Sequence, residues 1–200
     1  MADSYIKAYL DGAGEIIKSL DAQGIQKIID LVLDVRRQGG RLFFLGVGGG
    51  AANASHAVND FRKIAGIESY TPLDNVSELT AQTNDHGWEK SLVNWLLTSR
   101  LNALDGIFVF SVGGGDKERR ISGNIVSALE LARSVGARIM GIVGRDGGYT
   151  AKVGDAVVII PSVSAEMVTP QTESFQSLLW HLIVSHPRVR LSPMKWESTK

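Results

Sequence analysis

His56 and Asp60 lie four residues apart, just after a run of glycines. At this spacing two residues of an α-helix share a face, so the imidazole and the carboxylate project to the same side. Both side-chain types bind divalent metal ions, and both exchange protons at or below neutral pH. The spacing therefore predicts a metal-binding or acid–base pair on a helix that begins near residue 50.

Two glycine-rich segments, 46–50 and 113–115, each follow an apolar run. Glycines let the backbone approach a ligand, and the start of a following helix offers unpaired N–H groups to a phosphate or another anion. The alternative is that the glycines only make tight strand-to-helix turns. The dinucleotide-binding pattern fits poorly, because only Asp74 loosely meets its acidic position, and no Gly-Lys-Ser/Thr of a P-loop follows.

The composition narrows the possible classes of protein. The 200 residues are 44% hydrophobic and carry 21 basic and 21 acidic side chains, which favours one globular domain and gives no basic field for nucleic acid. There is no cysteine, so any metal must be bound by histidines and carboxylates. No signal peptide or membrane-length apolar stretch is evident, and we expect no membrane partner and a cytoplasmic location.

Apolar periodicity predicts the elements that position these residues. Residues 1–40 read as a pair of helices, and five apolar runs at 41–46, 69–74, 106–111, 138–143 and 156–161 read as strands. Predicted helices near 50–65, 75–83, 88–102, 117–136 and 166–186 alternate with them, which is typical of a parallel sheet covered on both faces. The fold class is therefore α/β, a three-layer doubly wound sandwich.

We expect a single domain over 1–200, with the helical pair at 1–40, the α/β core at 41–186 and a tail at 187–200. The tail either closes over a neighbouring copy or packs on its own core. Ligands of such sheets bind beyond the carboxyl ends of the strands. This rule selects the loops 46–53, 74–77, 111–117 and 144–148.

The order of these motifs resembles the sugar isomerase (SIS) domain family, which has a flavodoxin-like fold, and within it the phosphoheptose isomerases. The family's first loop, Gly-Asn-Gly-Gly-Ser, precedes a His-x-x-x-Glu helix, which matches 46–50 and the pair His56 and Asp60. Its Asn-Asp segment matches 74–89, its VGRDGG-like loop matches 143–148, and its Gln and His eight residues apart match Glu173 and His181. The resemblance covers nearly the whole chain.

The resemblance implies an aldose–ketose isomerase that converts sedoheptulose 7-phosphate to D-glycero-D-manno-heptose 7-phosphate. It implies a homotetramer joined through the N-terminal helices, with active sites at subunit contacts. It also implies a divalent metal ion, zinc above others, bound by His56, Asp60, Glu173 and His181, with Asp60, Glu173 and His181 as catalytic groups. The implied contacts with the sugar phosphate are Gly48, Gly49, Gly50, Asn53, Asp85, Ser111, Gly113, Gly114, Asp116 and Lys117.

Such an isomerisation needs a base for a carbon-bound proton, an acid or base for the oxygens, and positive charge to stabilise the ene-diolate. Asp60 or Glu173 would be the base and His181 its partner. Eight residues of helix separate Glu173 from His181 by roughly 12 Å, too far for one ion. We therefore expect these two side chains to serve different copies of the site across an interface.

The second loop departs from the family pattern. Where the family has Ser-Thr-Ser-Gly-Asn-Ser, this chain keeps only the first hydroxyl, Ser111, and ends on Asp116. That carboxylate repels a phosphate unless Lys117, Arg119 or Arg120 neutralises it. Either backbone N–H groups and Lys117 bind the anion, or the ligand carries another group there.

Three hypotheses about function follow. The first is the metal-assisted isomerase of sedoheptulose 7-phosphate or a related sugar phosphate. The second is an isomerase or epimerase of the same family with a different sugar, and the third is a non-catalytic SIS adaptor or regulator. Retention of His56, Asp60 and His181 disfavours the third, because an adaptor has no use for these side chains.

Overall fold

A five-stranded parallel sheet forms the centre of the molecule. The structure, a computed structural model, describes residues 4–192. The strands are β1 (Leu42–Gly46), β2 (Ser69–Tyr70), β3 (Gly106–Ser111), β4 (Arg138–Val143) and β5 (Ala156–Ile159). They lie in the order β2-β1-β3-β4-β5, and all four pairings are parallel. Successive strands are added on one side of β1 up to β2 and on the other side from β3 onward, so the strand order switches between β1 and β3. Ligands of folds with this strand order bind at that switch point.

Helices cover both faces of the sheet, as the near-continuous apolar strands predict. They are α1 (Ser4–Ser19), α2 (Ala22–Arg37), α3 (Gly49–Lys63), α4 (Val76–His86), α5 (Trp88–Thr98), α6 (Gly123–Val135), α7 (Gly148–Val153) and α8 (Val168–Ser185), with a 3₁₀ turn at Ala165–Met167. One core lies under α2, α3 and α8 and includes Phe44, Phe61 and Trp180. The other lies under α5 and α6. The predicted three-layer α/β fold is confirmed.

Several predicted boundaries are wrong: α5 ends at Thr98 rather than at residue 102, and α7 was not predicted at all. Two further differences have a clear physical reason. β2 ends at Tyr70 rather than at residue 74, because Pro72 has no N–H for the ladder and lies in a turn. α6 begins at Gly123 rather than at 117, because the backbones of Asp116 and Ile121 pair with each other at 2.9 and 3.0 Å. Residues 117–120 therefore form the tip of a small turn instead of a first helical turn.

The described part of the C-terminal tail packs on its own chain. Val189 is fully buried, and the guanidinium of Arg36 donates to its carbonyl at 2.5 Å and to that of Ala65 at 3.2 Å. Up to residue 192 the tail therefore packs on its own core, the second of the two predicted alternatives. Residues 193–200 lie outside the described residues. Within 4–192, no helix is long and apolar enough to cross a membrane.

Asp105 joins the starts of β1 and β3. Its side chain is 1% exposed and accepts hydrogen bonds from the backbone N–H, Nε and Nη2 of Arg41 at 2.9, 3.1 and 2.8 Å. Asn102 contributes two further donors, its backbone N–H and its side-chain amide. The hydrogen bond to Asp105 raises the pKa of Arg41 above its ordinary value. The carboxylate is thus buried but has a full set of donors, which is the condition under which a buried charge is tolerated.

Replacing Asp105 with Ala should lower the free energy of unfolding by about 3 kcal/mol, because one partner of a buried ion pair is removed and the donors around it lose their acceptor. Urea unfolding followed by circular dichroism measures this loss. Asp34→Ala is the matched control, because it breaks the exposed ion pair with Arg37 and should cost at most about 1 kcal/mol. Equal losses of unfolding free energy in the two variants would contradict a stabilising role for the buried pair of Asp105 and Arg41.

Candidate functional site

α3 and α8 bring three of the predicted side chains together. His56 Nε2 and His181 Nε2 each lie 3.9 Å from Asp60 Oδ2. One ligand atom from each of the three residues lies within 4.8 Å of the other two. Nitrogen and oxygen ligands of zinc lie about 2.0–2.2 Å from the ion, so one ion can contact all three after small side-chain shifts. Two imidazoles and one carboxylate are a donor set that fits a divalent metal ion with open coordination positions.

Hydrogen bonds to neighbouring groups leave the ligand atoms of this cluster free. His181 Nδ1 lies 2.7 Å from the carbonyl oxygen of Ser177. Because a carbonyl only accepts, Nδ1 carries the proton in the neutral imidazole, and Nε2 keeps its lone pair toward Asp60. Asn59 donates to Asp60 Oδ1 at 2.8 Å, which leaves Oδ2 for the imidazoles. The side chains of His56 and His181 are 58% and 46% exposed, so the cluster opens to the surface of the chain.

Trp180 contacts both imidazoles and was missed by the sequence analysis. Its fully buried indole stacks on His181 with ring centroids 3.5 Å apart, and it meets His56 edge-on at 4.8 Å. An aromatic residue on an apolar helix face is typical of any core, and only its position next to His181 could have marked it. The indole limits the orientations open to both rings.

Asn53 connects α3 to α8. Its side-chain amide donates to the Glu173 carbonyl at 3.1 Å and to Gln176 Oε1 at 3.2 Å, and its oxygen accepts from Trp180 Nε1 at 3.5 Å. Gln176 in turn donates to the carbonyl of Ile142 in β4. The amide predicted to contact substrate is therefore engaged inside the protein, and its role toward substrate stays a prediction.

The carboxylate of Glu173 lies at the start of α3, away from the cluster. A Cβ placed on Gly49 would come within 2.3 Å of Glu173 Oε2, so the carboxylate occupies the space that a side chain would need. The seven residues from Gly49 to His56 span about 10 Å of helix. Within one chain the structure brings together three of the four predicted ligands and separates Glu173 from His181, as their spacing predicts.

The glycines of the two loops have different roles. A Cβ on Gly50 would lie 2.3 Å from the Phe110 carbonyl oxygen, and one on Gly114 would lie 1.9 Å from that of Gly147. Both positions need glycine because the backbones pack closely there. This favours the interpretation that these two glycines make tight turns and do not contact a ligand. By contrast, a Cβ on Gly48 meets no atom within 4 Å, and one on Gly113 meets only Arg145 Cδ, at 3.9 Å. These two positions remain open to a ligand.

A cavity of about 800 Å³ opens between the loop that follows β3 and the loop that follows β4. Its lining includes four predicted substrate contacts, Ser111, Gly113, Asp116 and Lys117. Among the lining side chains that the sequence analysis did not select are Arg145, Tyr149 and Lys152. The rule that ligands bind at the carboxyl ends of parallel strands had selected the loop that contains Arg145, but not the residue.

The charges of the second loop are partly neutralised within the protein. Asp116 Oδ1 accepts the backbone N–H groups of Arg119 and Glu118 at 2.9 Å each, and these bonds, the one from Arg119 first, lower the pKa of Asp116. The ammonium of Lys117 pairs with Glu130 Oε1 at 2.6 Å, which raises the pKa of Lys117. Lys117 is thus engaged by Glu130 and does not neutralise Asp116. Arg119 Nε, 3.8 Å from Asp116 Oδ2, is closer to that role.

Asp85 lies near the end of α4, where it is exposed and accepts a hydrogen bond from Asn84 at 2.7 Å. It belongs neither to the cluster of His56, Asp60 and His181 nor to the cavity lining. Its predicted contact with substrate stays a prediction.

Comparison with known proteins agrees with this architecture. Residues 5–144 match the SIS domain family profile. The chain is 28% identical to the lincomycin biosynthesis protein LmbN of Streptomyces lincolnensis, over 92% of this chain and 69% of that protein. It is 30% identical to the phosphoheptose isomerase of Geobacter sp. strain M21, over 89% of this chain and 91% of that protein.

Among solved structures, the phosphoheptose isomerase GmhA from Neisseria gonorrhoeae superposes with a TM-score of 0.77 at 21% identity, covering 90% of this chain and 94% of that one. This likeness shows that the two share a fold. The profile match spans more than half of the chain, and the curated relatives align along most of it. The chain therefore belongs to the SIS domain family and, within it, is of the phosphoheptose isomerase type.

Proposed function

We propose that the protein is an aldose–ketose isomerase that converts sedoheptulose 7-phosphate to D-glycero-D-manno-heptose 7-phosphate. The observation that carries this proposal is the cluster of His56, Asp60 and His181 in a chain whose relatives are named phosphoheptose isomerases. A carboxylate with one unengaged oxygen beside two imidazoles is suited to moving protons between neighbouring atoms of a sugar.

The reaction moves one proton between adjacent carbons and another between their oxygens. Asp60 Oδ2 is the carboxylate oxygen available to take the carbon-bound proton, since Oδ1 is bonded to Asn59. His181 Nε2, 3.9 Å away, would hold or return a proton at the neighbouring oxygen while it is not bound to the ion, because its single lone pair cannot serve both roles at once. The hydrogen bond from Nδ1 to Ser177 keeps the ring in the tautomer that this role needs.

A divalent ion, zinc above others, would be held by His56, Asp60 and His181. When bound, it would supply positive charge to the sugar oxygens as the proton leaves carbon. Glu173, the fourth predicted ligand and an alternative base, lies at the other end of α8. We propose that it acts in the site of a second copy of the chain, because it cannot reach the cluster of its own.

The proposed oligomer, a homotetramer, is supported by apolar side chains on two helices. α1 exposes Ile6, Leu10 and Ile17 by 51%, 64% and 56%, and α8 exposes Leu178 and Leu182 close to His181. A second copy that covers these residues would also limit the access of water to the cluster. The cytoplasmic location expected from the sequence stays a prediction.

A different sugar substrate is the second candidate. The second loop carries one hydroxyl where the family has several, and the chain is also similar to a protein of lincomycin biosynthesis. A panel of ketose and aldose phosphates of five to eight carbons distinguishes the candidates by kcat/KM.

Asp60→Asn and His181→Ala should each lower kcat for sedoheptulose 7-phosphate by about 100-fold or more, the contribution expected of a positioned acid or base. Both variants should also lose metal, measured by elemental analysis of protein purified without chelator. His86→Ala is the matched control, because it removes an exposed histidine at the end of α4 and should change neither quantity. Full turnover in Asp60→Asn would exclude the proposed base.

Chelation offers a test that needs no substitution. Prolonged dialysis of the wild-type protein against EDTA should abolish turnover, and zinc or another divalent ion should restore it, because the open cluster allows the ion to exchange. Turnover that persists in metal-free protein would exclude a catalytic ion.

Leu10→Lys should shift the protein to smaller species in light scattering and reduce turnover, because a charge would enter the apolar face of α1. Leu104→Lys is the control, since it places the same charge on an exposed leucine between α5 and β3. A Leu10→Lys protein that keeps its mass and activity would remove α1 from the interface.

A further inference from the structure

Two cations that line the cavity form no hydrogen bond within residues 4–192, and one of them, Arg145, has no charged partner there either. Neither the guanidinium of Arg145 nor the ammonium of Lys152 forms a hydrogen bond or an ion pair with a described residue, although both line the cavity. Lys117, by contrast, is paired with Glu130, and Arg119 lies beside Asp116. The cavity therefore has one positive charge without a partner, that of Arg145, and Lys152 adds a second that also acts on Asp116, whose pKa it lowers.

The carboxylates of the cavity are engaged by the backbone. Asp146 Oδ1 accepts the N–H of Gly148 at 3.1 Å, and Asp116 Oδ1 accepts two N–H groups of its own loop. These bonds hold the acidic side chains in place against their loops. Asp116 also interacts with the charge of Lys152, so Arg145 is the cation most available to an anionic ligand.

Arg145 is held in a backbone conformation that suits glycine. Its φ is 53°, and it occupies the first central position of a turn closed by the N–H of Gly147 and the carbonyl of Gly144 at 2.9 Å. Positive φ at this position is dominated by glycine, asparagine and aspartate in other turns, and other residues adopt it at some cost in stability. A long cationic side chain in this place points to a use for the side chain itself.

The second loop and the stem of Arg145 are neighbours in the cavity. Gly113 stands where the resemblance places a family serine, and Arg145 Cδ lies 3.9 Å from the position of a Gly113 Cβ. A serine there would bring its hydroxyl into the space beside the arginine stem. Arg145 therefore lies beside the position at which the family's hydroxyl would contact a ligand.

We propose that Arg145, together with Lys152, binds the phosphate of the sugar substrate beside the second loop, where this chain keeps only one of the family's hydroxyls. This inference rests on the proposed function for the identity of the sugar, but not for the binding of phosphate. A phosphate monoester carries nearly two negative charges at neutral pH, which matches the charges of Arg145 and Lys152. The guanidinium can donate two parallel hydrogen bonds to such a group.

The test compares Arg145→Gly with Arg100→Gly. Arg100 is also exposed and has a φ of 55°, but it lies after α5 and outside the cavity lining, so its replacement relieves the same strain without touching the site. Inorganic phosphate binding is measured by calorimetry, and KM is measured for sedoheptulose 7-phosphate. Arg145→Gly should lower the affinity for inorganic phosphate and raise KM, each by about 10- to 100-fold, the loss expected for a charged hydrogen bond. Lys152→Gln should change the phosphate affinity and KM in the same directions by a smaller factor.

The thermal midpoint of Arg145→Gly distinguishes a binding role of Arg145 from a purely structural one, because loss of a structural side chain would lower the midpoint. Arg145→Gly should keep or raise the thermal midpoint, because glycine adopts a positive φ without strain. A lowered midpoint, or phosphate affinity and KM equal to those of Arg100→Gly, would overturn the inference. Phosphate binding that depends on Arg145 in a protein without isomerase activity would support the inference while the proposed function fails.

Discussion

The position of α8 along α3 is fixed by the side-chain amide of Asn53, and the proposed site depends on this contact. Both donors and the acceptor of Asn53 are engaged, and Gln176 extends the network to the backbone of β4. A slip of one helix past the other would leave buried polar groups unpaired, at about 1–3 kcal/mol each. The network therefore permits one register, in which His181 lies opposite Asp60 and Glu173 opposite Gly49.

This register also separates two kinds of chemistry. The cluster of His56, Asp60 and His181 lies along the flank formed by α3 and α8, whereas the cavity lies at the carboxyl edge of the sheet. For a sugar phosphate, the arrangement divides the reacting carbons from the charged group. Binding energy gained at the phosphate would then orient the distant carbons, which is how an enzyme converts affinity into rate.

Sequence reasoning succeeded where the determining forces are local. The apolar runs of β1 and β3 and the four-residue spacing of His56 and Asp60 follow from strand and helix geometry alone. It failed where the determinant is a contact between distant segments, as for Trp180 stacked on His181. The start of α6 was missed for a related reason: the paired backbones of Asp116 and Ile121 have no signature in hydropathy. Resemblance to a family could suggest His181, but neither resemblance nor spacing could show that Arg145 has no partner within the described residues.

The contact of Glu173 with Gly49 has a consequence for the history of the sequence. Because the carboxylate fills the volume of a missing Cβ, a methyl group at position 49 and the present side-chain position at 173 exclude one another. A larger residue at position 49 therefore requires the flexible end of Glu173 to move or the side chain at 173 to become shorter, although the chain separates the two positions widely. Relatives with larger residues at the start of this helix should therefore carry shorter or differently oriented side chains at the matching position of the last helix, so that the two positions covary.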